Sequence, residues 1–250
     1  MAGDDAQTGH VLTRREVLGL VGAPAVLMLT GWSAPAASAR SGTGCVVRPQ
    51  QTEGPYFVDE SLNRSDIRSD PSDGSVKPGT PLDLTFKVSR LSNNACAPLP
   101  GALVDVWHCD HQGIYSDVED PDFNTAGKKF LRGYQVTGRD GVARFMTIYP
   151  GWYHGRTVHV HFKIRSAPAA APGFEFTSQL YFDDALTDRV HAREPYAAKG
   201  QRNRRNGGDG IFSRGGAELL LAAVPSGRGY AATFSIAIQD PQSSRARAGI

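Results

Sequence analysis

The stretch Gly151–Phe162, GWYHGRTVHVHF, ends in the alternating pattern of a β-strand that carries two histidines. Side chains along a strand point to opposite faces in turn. His159 and His161 therefore share one face, and the apolar residues around them share the other. Imidazole is the commonest metal ligand, so two on one strand face can bind one ion in adjacent positions.

Other short, strand-like segments separated by turns lie on both sides of this stretch. They are LDLTFKV (82–88), ALVDVWHC (102–109), RGYQVTGRDGVARFMTI (132–148), RTVHVHFKI (156–164), FTSQLYF (176–182) and YAATFSIAI (230–238). Segment 132–148 is predicted to be a hairpin that turns at Asp140-Gly141. Helical periodicity is confined to GGAELLLAAV (215–224). The pattern is typical of an all-β sandwich or barrel. We expect a β-sandwich of mixed short strands with long loops and few short helices.

Two segments are predicted to be loops. The stretch 63–81, NRSDIRSDPSDGSVKPGTP, is rich in Ser, Asp, Gly and Pro, which indicates a long surface loop. The stretch 191–210, HAREPYAAKGQRNRRNGGDG, is basic and glycine-rich. We expect it to be a solvated loop, and the functional alternative is a lid over a site.

The N-terminal residues have the pattern of an export signal. Arg14 and Arg15 precede an apolar stretch at 17–31, and Ala37-Ser38-Ala39 fits a small-x-small cleavage site. The alternative is a membrane anchor, but the stretch contains Gly and Pro and is shorter than the ~20 residues a span needs. We expect a twin-arginine signal at 1–39 and one catalytic domain at 40–250. The protein would then fold around a cofactor before export, with no stable membrane span once the signal is removed, and be secreted to the cell surface or medium.

Charge and cysteine content limit the possible partners. The net charge is +2, and no basic stripe interleaved with aromatic residues is present, which argues against nucleic-acid binding. Cys45, Cys96 and Cys109 lack the spacing of a zinc site. In an oxidising compartment we expect one disulfide and one free thiol, and the sequence leaves the pairing open.

The residues alone leave three functions open. A zinc hydrolase would combine the two histidines with a carboxylate or third imidazole, for which Asp110 or His111 is available. An iron(II) oxygenase would use two histidines and one carboxylate. In a secreted, non-catalytic binding module, the histidines would be polar surface residues.

Four segments together resemble the intradiol ring-cleavage dioxygenases, the family of catechol 1,2- and protocatechuate 3,4-dioxygenases. They are QTEGPYFVDE (51–60), PLPGALVDVWHCDHQGIYS (98–116), FLRGYQVTGRDGVARFMTIYPGWY (130–153) and GRTVHVHFKI (155–164). The resemblance covers roughly residues 45 to 185, in matching order. It is greatest to the secreted, single-domain branch of the family.

The resemblance implies a non-haem Fe(III) site and a reaction of a catechol with O2. The ring would be cleaved between its two hydroxyl-bearing carbons to give a cis,cis-muconate-type product. The implied ligands are Tyr115, Tyr153, His159 and His161. Tyr153 is also the ligand expected to leave when the catechol binds. The implied substrate-binding residues are Gln179 and Arg156, and Arg156 would also be catalytic by stabilising negative charge on the ring.

The sequence also departs from the family's pattern. Only six positions separate Tyr153 from His159, so this loop is shorter than in the better-known members. Tyr149 is the rival for the second tyrosine ligand. The helical region through which catechol 1,2-dioxygenases dimerise is missing, so the oligomeric state is not predicted. The remaining histidines nearby are expected to be polar rim residues; they are His108, His111 and His154.

Overall fold

The computed structural model of the chain describes residues 45–93, 95–167 and 173–239. The predicted signal peptide lies outside these residues. The described part contains eleven strands and one α-helix, α1 (Asp184–His191). The strands are β1 (Pro81–Ser92), β2 (Ala95–Pro98), β3 (Leu103–Trp107), β4 (Glu119–Asp120), β5 (Phe123–Asn124), β6 (Arg132–Val136), β7 (Val142–Ile148), β8 (His159–Arg165), β9 (Glu175–Tyr181), β10 (Val224–Ser226) and β11 (Gly229–Gln239). Short 3-10 helices span Ala197–Lys199, Asn206–Gly208 and Gly216–Leu219.

The strands form two sheets and a small ribbon. The four-stranded sheet is antiparallel, in the order β6-β3-β8-β9. In the five-stranded sheet, β1 pairs in parallel with β11 along one edge, while β7 and β2 share its other edge. Strand β10 pairs with the far side of β11, and β4 with β5 forms the ribbon.

The hydrophobic core lies between the two sheets. The apolar positions of β1 are buried as the alternating sequence predicts. Phe86 of β1 and Phe234 of β11 both contact Phe162 of β8, with ring centroids 5.4 Å apart in each pair. The all-β prediction is confirmed, and the packing of two sheets face to face makes the fold a sandwich.

The outer face of the four-stranded sheet is also covered. Phe57, from the segment before β1, packs on Trp107 of β3 with ring centroids 4.8 Å apart. Nζ of Lys163 lies 4.0 Å from the centre of the Phe57 ring. His159 and His161 are each 2% exposed under this cover. The interpretation of the histidines as solvated surface residues is therefore wrong.

The predicted hairpin at 132–148 is not one. Strands β6 and β7 form as expected, but they belong to different sheets. The amide of Thr137 donates to Ala102 beside β3, and the carbonyl of Gly141 accepts from Val88 in β1. The Asp-Gly turn therefore carries the chain across the core, because each end of it bonds to a different sheet.

The helical periodicity at 215–224 extends further than the helix that forms there. Gly216–Leu219 makes a short 3-10 helix, and Val224 begins β10. The α-helix is α1, where the side chain of Asp183 accepts a hydrogen bond from the amide of Leu186 at 2.8 Å. This N-cap fixes the first turn. Its eight residues are too few to produce a strong helical periodicity in the sequence.

Among the described residues, no helix is long and apolar enough to cross a bilayer.

The two long connections are more ordered than their composition suggests. Segment 63–81 lacks a regular strand or helix up to β1, yet Ile67 and Asp70 are fully buried in it. In segment 191–210, Asn206 is 8% and Asp209 is 2% exposed. The prediction of a solvated loop is wrong for these two residues, which dock beside β8.

The cysteine pairing that the sequence left open is Cys45 with Cys96. Their Cα atoms are 5.6 Å apart, and the disulfide joins the segment before β1 to β2. Cys109 is a buried free thiol. The expectation of one disulfide and one free thiol agrees with this arrangement.

Candidate metal centre

Two tyrosines and two histidines converge at one point beside β8. Their polar atoms surround Nε2 of His159, with Nε2 of His161 at 3.0 Å, Oη of Tyr153 at 3.2 Å and Oη of Tyr115 at 3.5 Å. These are the four residues that the resemblance implies as iron ligands. The fold brings them together, and their binding of a metal stays a prediction.

The histidines are held in defined orientations. Nδ1 of His159 lies 2.6 Å from the carbonyl of Thr157, so it carries the proton and donates it. Nε2 of His159 is then left with a lone pair that points into the centre. The ring of His161 stacks on Trp107, with an interplanar angle of 9°. Neither orientation leaves an imidazole free to turn toward solvent.

Tyr115 and Tyr153 come from two loops that pack backbone against backbone. Tyr115 follows β3, and Tyr153 lies in the turn between β7 and β8. The amide of Gly151 donates to the carbonyl of Asp110 at 3.1 Å, which ties one loop to the other. Tyr115 is 1% exposed, whereas Tyr153 is partly exposed. Tyr153 is therefore the tyrosine with access to solvent.

Burial sets the protonation of these groups. It lowers the pKa of His159 to about 3, and the positive charge of Arg156 adds to the effect. It also lowers the pKa of His161 well below the ordinary value. Burial raises the pKa of Tyr115 well above the ordinary value and raises that of Tyr153, which Arg156 partly opposes. Without a cation, all four groups are neutral.

The donor set suits a highly charged, hard cation. His159 can accept only one good hydrogen bond at Nε2, yet three other polar groups of the set crowd around that atom. Nδ1 of His161 is buried and has no hydrogen-bond partner among the described residues. A bound cation favours the deprotonated form of its ligands. Two phenolates and two imidazoles would give it two negative charges and four donor atoms.

The carboxylate-based alternatives lack such a cluster. Within 45–93, 95–167 and 173–239, no three His, Cys, Asp or Glu residues are grouped so that they could hold a metal. Asp110 instead pairs with Nζ of Lys77 at 2.9 Å and accepts from the amides of Gln112 and Ile114. The centre therefore has no carboxylate for a zinc hydrolase or an iron(II) oxygenase among these residues.

Arg156 places its guanidinium between the centre and β9. Its Nη1 lies 3.5 Å from Nε2 of His159, and its Nη2 donates to Oε1 of Gln179 at 2.6 Å. Its Nε donates to Oδ2 of Asp209 at 2.8 Å. Gln179 is fixed in turn because its Nε2 donates to the carbonyl of Thr52 at 2.9 Å. The two predicted substrate-binding residues are thus adjacent.

Two neighbours were not among the predicted site residues. Asp209 lies 53 positions after Arg156, in the segment predicted to be solvated. The one available signal was a single acid among the basic residues that follow Gly200. Tyr56 stacks on Tyr115 with ring centroids 4.5 Å apart, and its hydroxyl donates to Asp120 at 2.8 Å. Burial first, and then Asp120, raise the pKa of Tyr56 to about 12.

Other candidates lie outside the centre. Tyr149, the rival ligand, is fully buried against Phe182 and its hydroxyl bonds Oγ1 of Thr187 at 2.7 Å. His108 is 1% exposed and its Nε2 lies 2.7 Å from Oγ1 of Thr147, so its assignment to the polar rim is wrong. His154 is exposed.

Comparison with known proteins places this geometry in a family. A family model described as Dioxygenase matches residues 52–193, more than half of the chain, and this span includes all the predicted site residues. An intradiol ring-cleavage dioxygenase from Tetranychus urticae has a similar structure, with a TM-score of 0.66 and 30% identity. The alignment covers 78% of this chain and 95% of that one.

This chain belongs to the intradiol ring-cleavage dioxygenase family. A second similar structure, the dioxygenase domain of a dioxygenase carbohydrate-binding protein fusion from Streptomyces sp. SirexAA-E, is 31% identical with a TM-score of 0.53, over 78% of this chain and 99% of that one. Catechol 1,2-dioxygenase 1 of Acinetobacter lwoffii is 29% identical over 54% of this chain and 49% of its own length. The chain thus spans about half the length of the curated relatives it matches.

Proposed function

We propose that this intradiol-family chain is an Fe(III) dioxygenase that cleaves catechols with O2 between the two hydroxyl-bearing carbons, giving cis,cis-muconate-type products. The observation that carries the proposal is the convergence of Tyr115, Tyr153, His159 and His161 on one point, with Arg156 at its side. Family membership supports the same reaction. Both oxygen atoms of O2 enter the product, so no external reductant is needed.

Iron would be held by the two tyrosine oxygens and the Nε2 atoms of the two histidines. When bound, Fe(III) acts as a Lewis acid that favours the deprotonated catechol and directs its ring toward O2. Thr157 supports this ligand set by fixing the proton of His159 on Nδ1. Trp107 supports it by stacking on His161.

The tyrosines have different tasks in this proposal. Tyr115 is enclosed by Tyr56 and the β3 loop, so it would remain a ligand throughout. Tyr153 is partly exposed and would leave when the catechol binds, because a side chain can swing out only where space is available. On leaving, Oη of Tyr153 would accept a proton from the catechol. The high pKa that burial gives this phenol favours that transfer.

Arg156 and Gln179 would orient the ring. The guanidinium carries a fixed positive charge next to the point where negative charge develops on the bound catechol. A preorganised cation in a water-poor site stabilises such charge more strongly than water does. Gln179 cannot rotate freely, because Thr52 and Arg156 occupy both ends of its amide. The pair therefore defines one wall of the substrate site.

The visible spectrum of the iron-loaded protein tests this function. Phenolate bound to Fe(III) gives a wine-red charge-transfer band, and a chelating catechol under anaerobic conditions should shift it to longer wavelength. Admitting O2 should then yield a muconate that contains two labelled oxygens when ¹⁸O2 is used. A protein that stays colourless with ferric and ferrous iron would overturn the proposal.

We also propose that the protein is exported by the twin-arginine route. The support is the Arg14-Arg15 signal pattern and the Cys45–Cys96 disulfide, since disulfides persist in oxidising compartments. Mass spectrometry of the secreted protein should find Arg40 as its first residue. Replacing both arginines by lysine should retain the protein in the cytoplasm, and unchanged secretion of that variant would contradict the route.

A further inference from the structure

Asp209 forms more hydrogen bonds than the turn that contains it requires. Its Oδ1 accepts from the amides of Ile211 at 2.7 Å and Phe212 at 3.0 Å, which is the local bonding of an Asx turn. Its Oδ2 accepts from Nε of Arg156 and from the amide of Thr157, both at 2.8 Å. One oxygen therefore serves the local turn, and the other serves the segment that leads into β8.

The Arg156–Asp209 pair is well shielded from solvent. The side chain of Asp209 is 1% exposed and that of Arg156 is 17% exposed. Burial alone would raise the pKa of Asp209, but the amides of Phe212 and Thr157 and the guanidinium of Arg156 outweigh it, so the pKa is lowered. Asp209 is thus a carboxylate held beside Arg156.

The neighbouring basic residues do not compete for Asp209. Arg202 bonds Asp184 at 2.7 Å and Asp188 at 2.9 Å, both on α1. Arg205 pairs with Asp188 at 2.6 Å. Helix α1 therefore pairs with Arg202 and Arg205, while Arg204 donates to the Gly208 carbonyl at 2.9 Å, and Asp209 is left to Arg156.

The remaining donors of Arg156 show why its Nε contact matters. Nη2 bonds Gln179, and Nη1 faces His159 at 3.5 Å. A planar guanidinium held at Nε and Nη2 cannot rotate about its long axis, so Nη1 is aimed at the centre. Without Asp209, only the Gln179 bond would limit that rotation.

We propose that Asp209 is the positioning residue for Arg156: it fixes the guanidinium plane so that Nη1 faces the catechol. The inference rests on the proposed function, and it assigns a role to a residue beyond the span 52–193 that the family model matches. Among the described residues, the side chain of Asp209 bonds Arg156 and three backbone amides and none of the four proposed ligands. Its effect on the reaction would pass through Arg156.

A double-mutant cycle between the two residues tests the proposal. Asp209→Ser keeps a hydroxyl that can accept from the turn amides but cannot reach Arg156. Arg156→Gln removes the guanidinium. Asn206→Ala is the matched control, because Asn206 also docks the segment, through Thr157 Oγ1 at 2.6 Å and the Phe182 carbonyl at 2.8 Å, without contacting Arg156. Steady-state kinetics with catechol and anaerobic affinity for 4-nitrocatechol are measured on the iron-loaded proteins.

D209S should lower kcat/KM about 10–100-fold, the cost typical of losing a residue that orients a site. The ferric–tyrosinate band should stay unchanged, because no ligand is altered. In the R156Q background, D209S should change kcat/KM by less than about threefold, since the group it orients is gone. N206A should lower the melting temperature and leave kcat/KM within about threefold of wild type.

Equal losses from D209S in both backgrounds would overturn the positioning role, and so would a D209S enzyme as active as wild type. If D209S does not fold, D209N replaces it in the cycle with the same expectations. Failure of both variants to fold while N206A folds would assign Asp209 a structural role only. A wild-type protein that does not cleave catechol would overturn the proposed function itself, which keeps the two failures distinct.

Discussion

Gly113 and Gly151 each lie against the backbone of the other's loop. A Cβ atom on Gly113 would come within 2.2 Å of the Trp152 carbonyl oxygen, and one on Gly151 within 2.4 Å of the His111 carbonyl oxygen. Gly113 also has a φ of +83°. This contact sets the distance between the loops that carry Tyr115 and Tyr153. Glycine at both positions is therefore required for the centre to form.

Gly151→Ala should therefore separate the two tyrosines. The methyl group meets backbone oxygens that cannot turn aside, and such overpacking costs about 1–3 kcal/mol. We expect lower stability in urea titrations together with reduced iron content. Gly207→Ala is the control, because nothing lies within 4 Å of a Cβ at that position. Wild-type iron content in the G151A protein would show that the contact does not set the centre.

Tyr115→Phe should weaken the red colour, because only one phenolate remains, and should lower activity by more than about 100-fold, beyond the 10–100-fold that losing an outer partner of a metal ligand costs. The matched control is Tyr149→Phe, which removes an equally buried hydroxyl bonded to Thr187 and distant from the centre. Y149F should keep both colour and activity. A Y115F protein with wild-type colour and activity would contradict the assignment of Tyr115 as a ligand. The visible absorbance, iron content and activity of both variants are measured.

The pH dependence of stability should contain a contribution from His108. Burial lowers its pKa from 6.5 to about 4, although the Cys109 carbonyl and Asp110 oppose the shift. As the pH falls below 6.5, His108 of the unfolded chain binds a proton. In the folded protein His108 binds that proton only at about pH 4. The His108 contribution should thus lower stability by roughly 3 kcal/mol between pH 6.5 and 4 and add no further loss below that range.

His108→Gln should flatten that part of the profile. Urea unfolding of the iron-free protein at several pH values measures the slope for both proteins. The other buried histidines are unchanged in the variant, so the difference between the profiles isolates His108. Parallel profiles would show that His108 titrates alike in the folded and unfolded states.

The cysteines should differ sharply in reactivity. Cys109 is 2% exposed, and burial raises the pKa of its thiol, so a thiol reagent should find no reactive group in the native protein and one after unfolding. Three reactive thiols in the unfolded wild type would contradict the disulfide.

The Cys45→Ser/Cys96→Ser double variant should have a free energy of unfolding lower by up to about 4 kcal/mol, which is the loop-closure contribution for a separation of 51 residues.

Tyr153, Arg156 and both histidines are close along the chain and follow strand signals, so the sequence predicts that they lie together, while their roles come from the resemblance and stay predictions. The H-x-H alternation marks β8, and the PGWY turn puts Tyr153 six positions before His159. Asp209 could not be found in the same way, because its contact with Arg156 spans 53 positions and depends on how the chain returns after α1. The hairpin prediction failed for a related reason, since an Asp-Gly turn looks the same whether its strands pair or cross to opposite sheets.

The parallel pairing of β1 with β11 has a consequence for the order of folding. Leu82 lies opposite Tyr230, so strand β1 pairs with a partner that is made 148 positions later in the chain. Pairings between such distant segments are slow to close. A nascent chain that has reached only residue 228 would contain both tyrosines, both histidines and Asp209, yet its five-stranded sheet would lack the neighbour along one whole edge of β1. The sandwich is therefore completed only after every residue of the centre has been made, when β11 (Gly229–Gln239) becomes available to pair with β1.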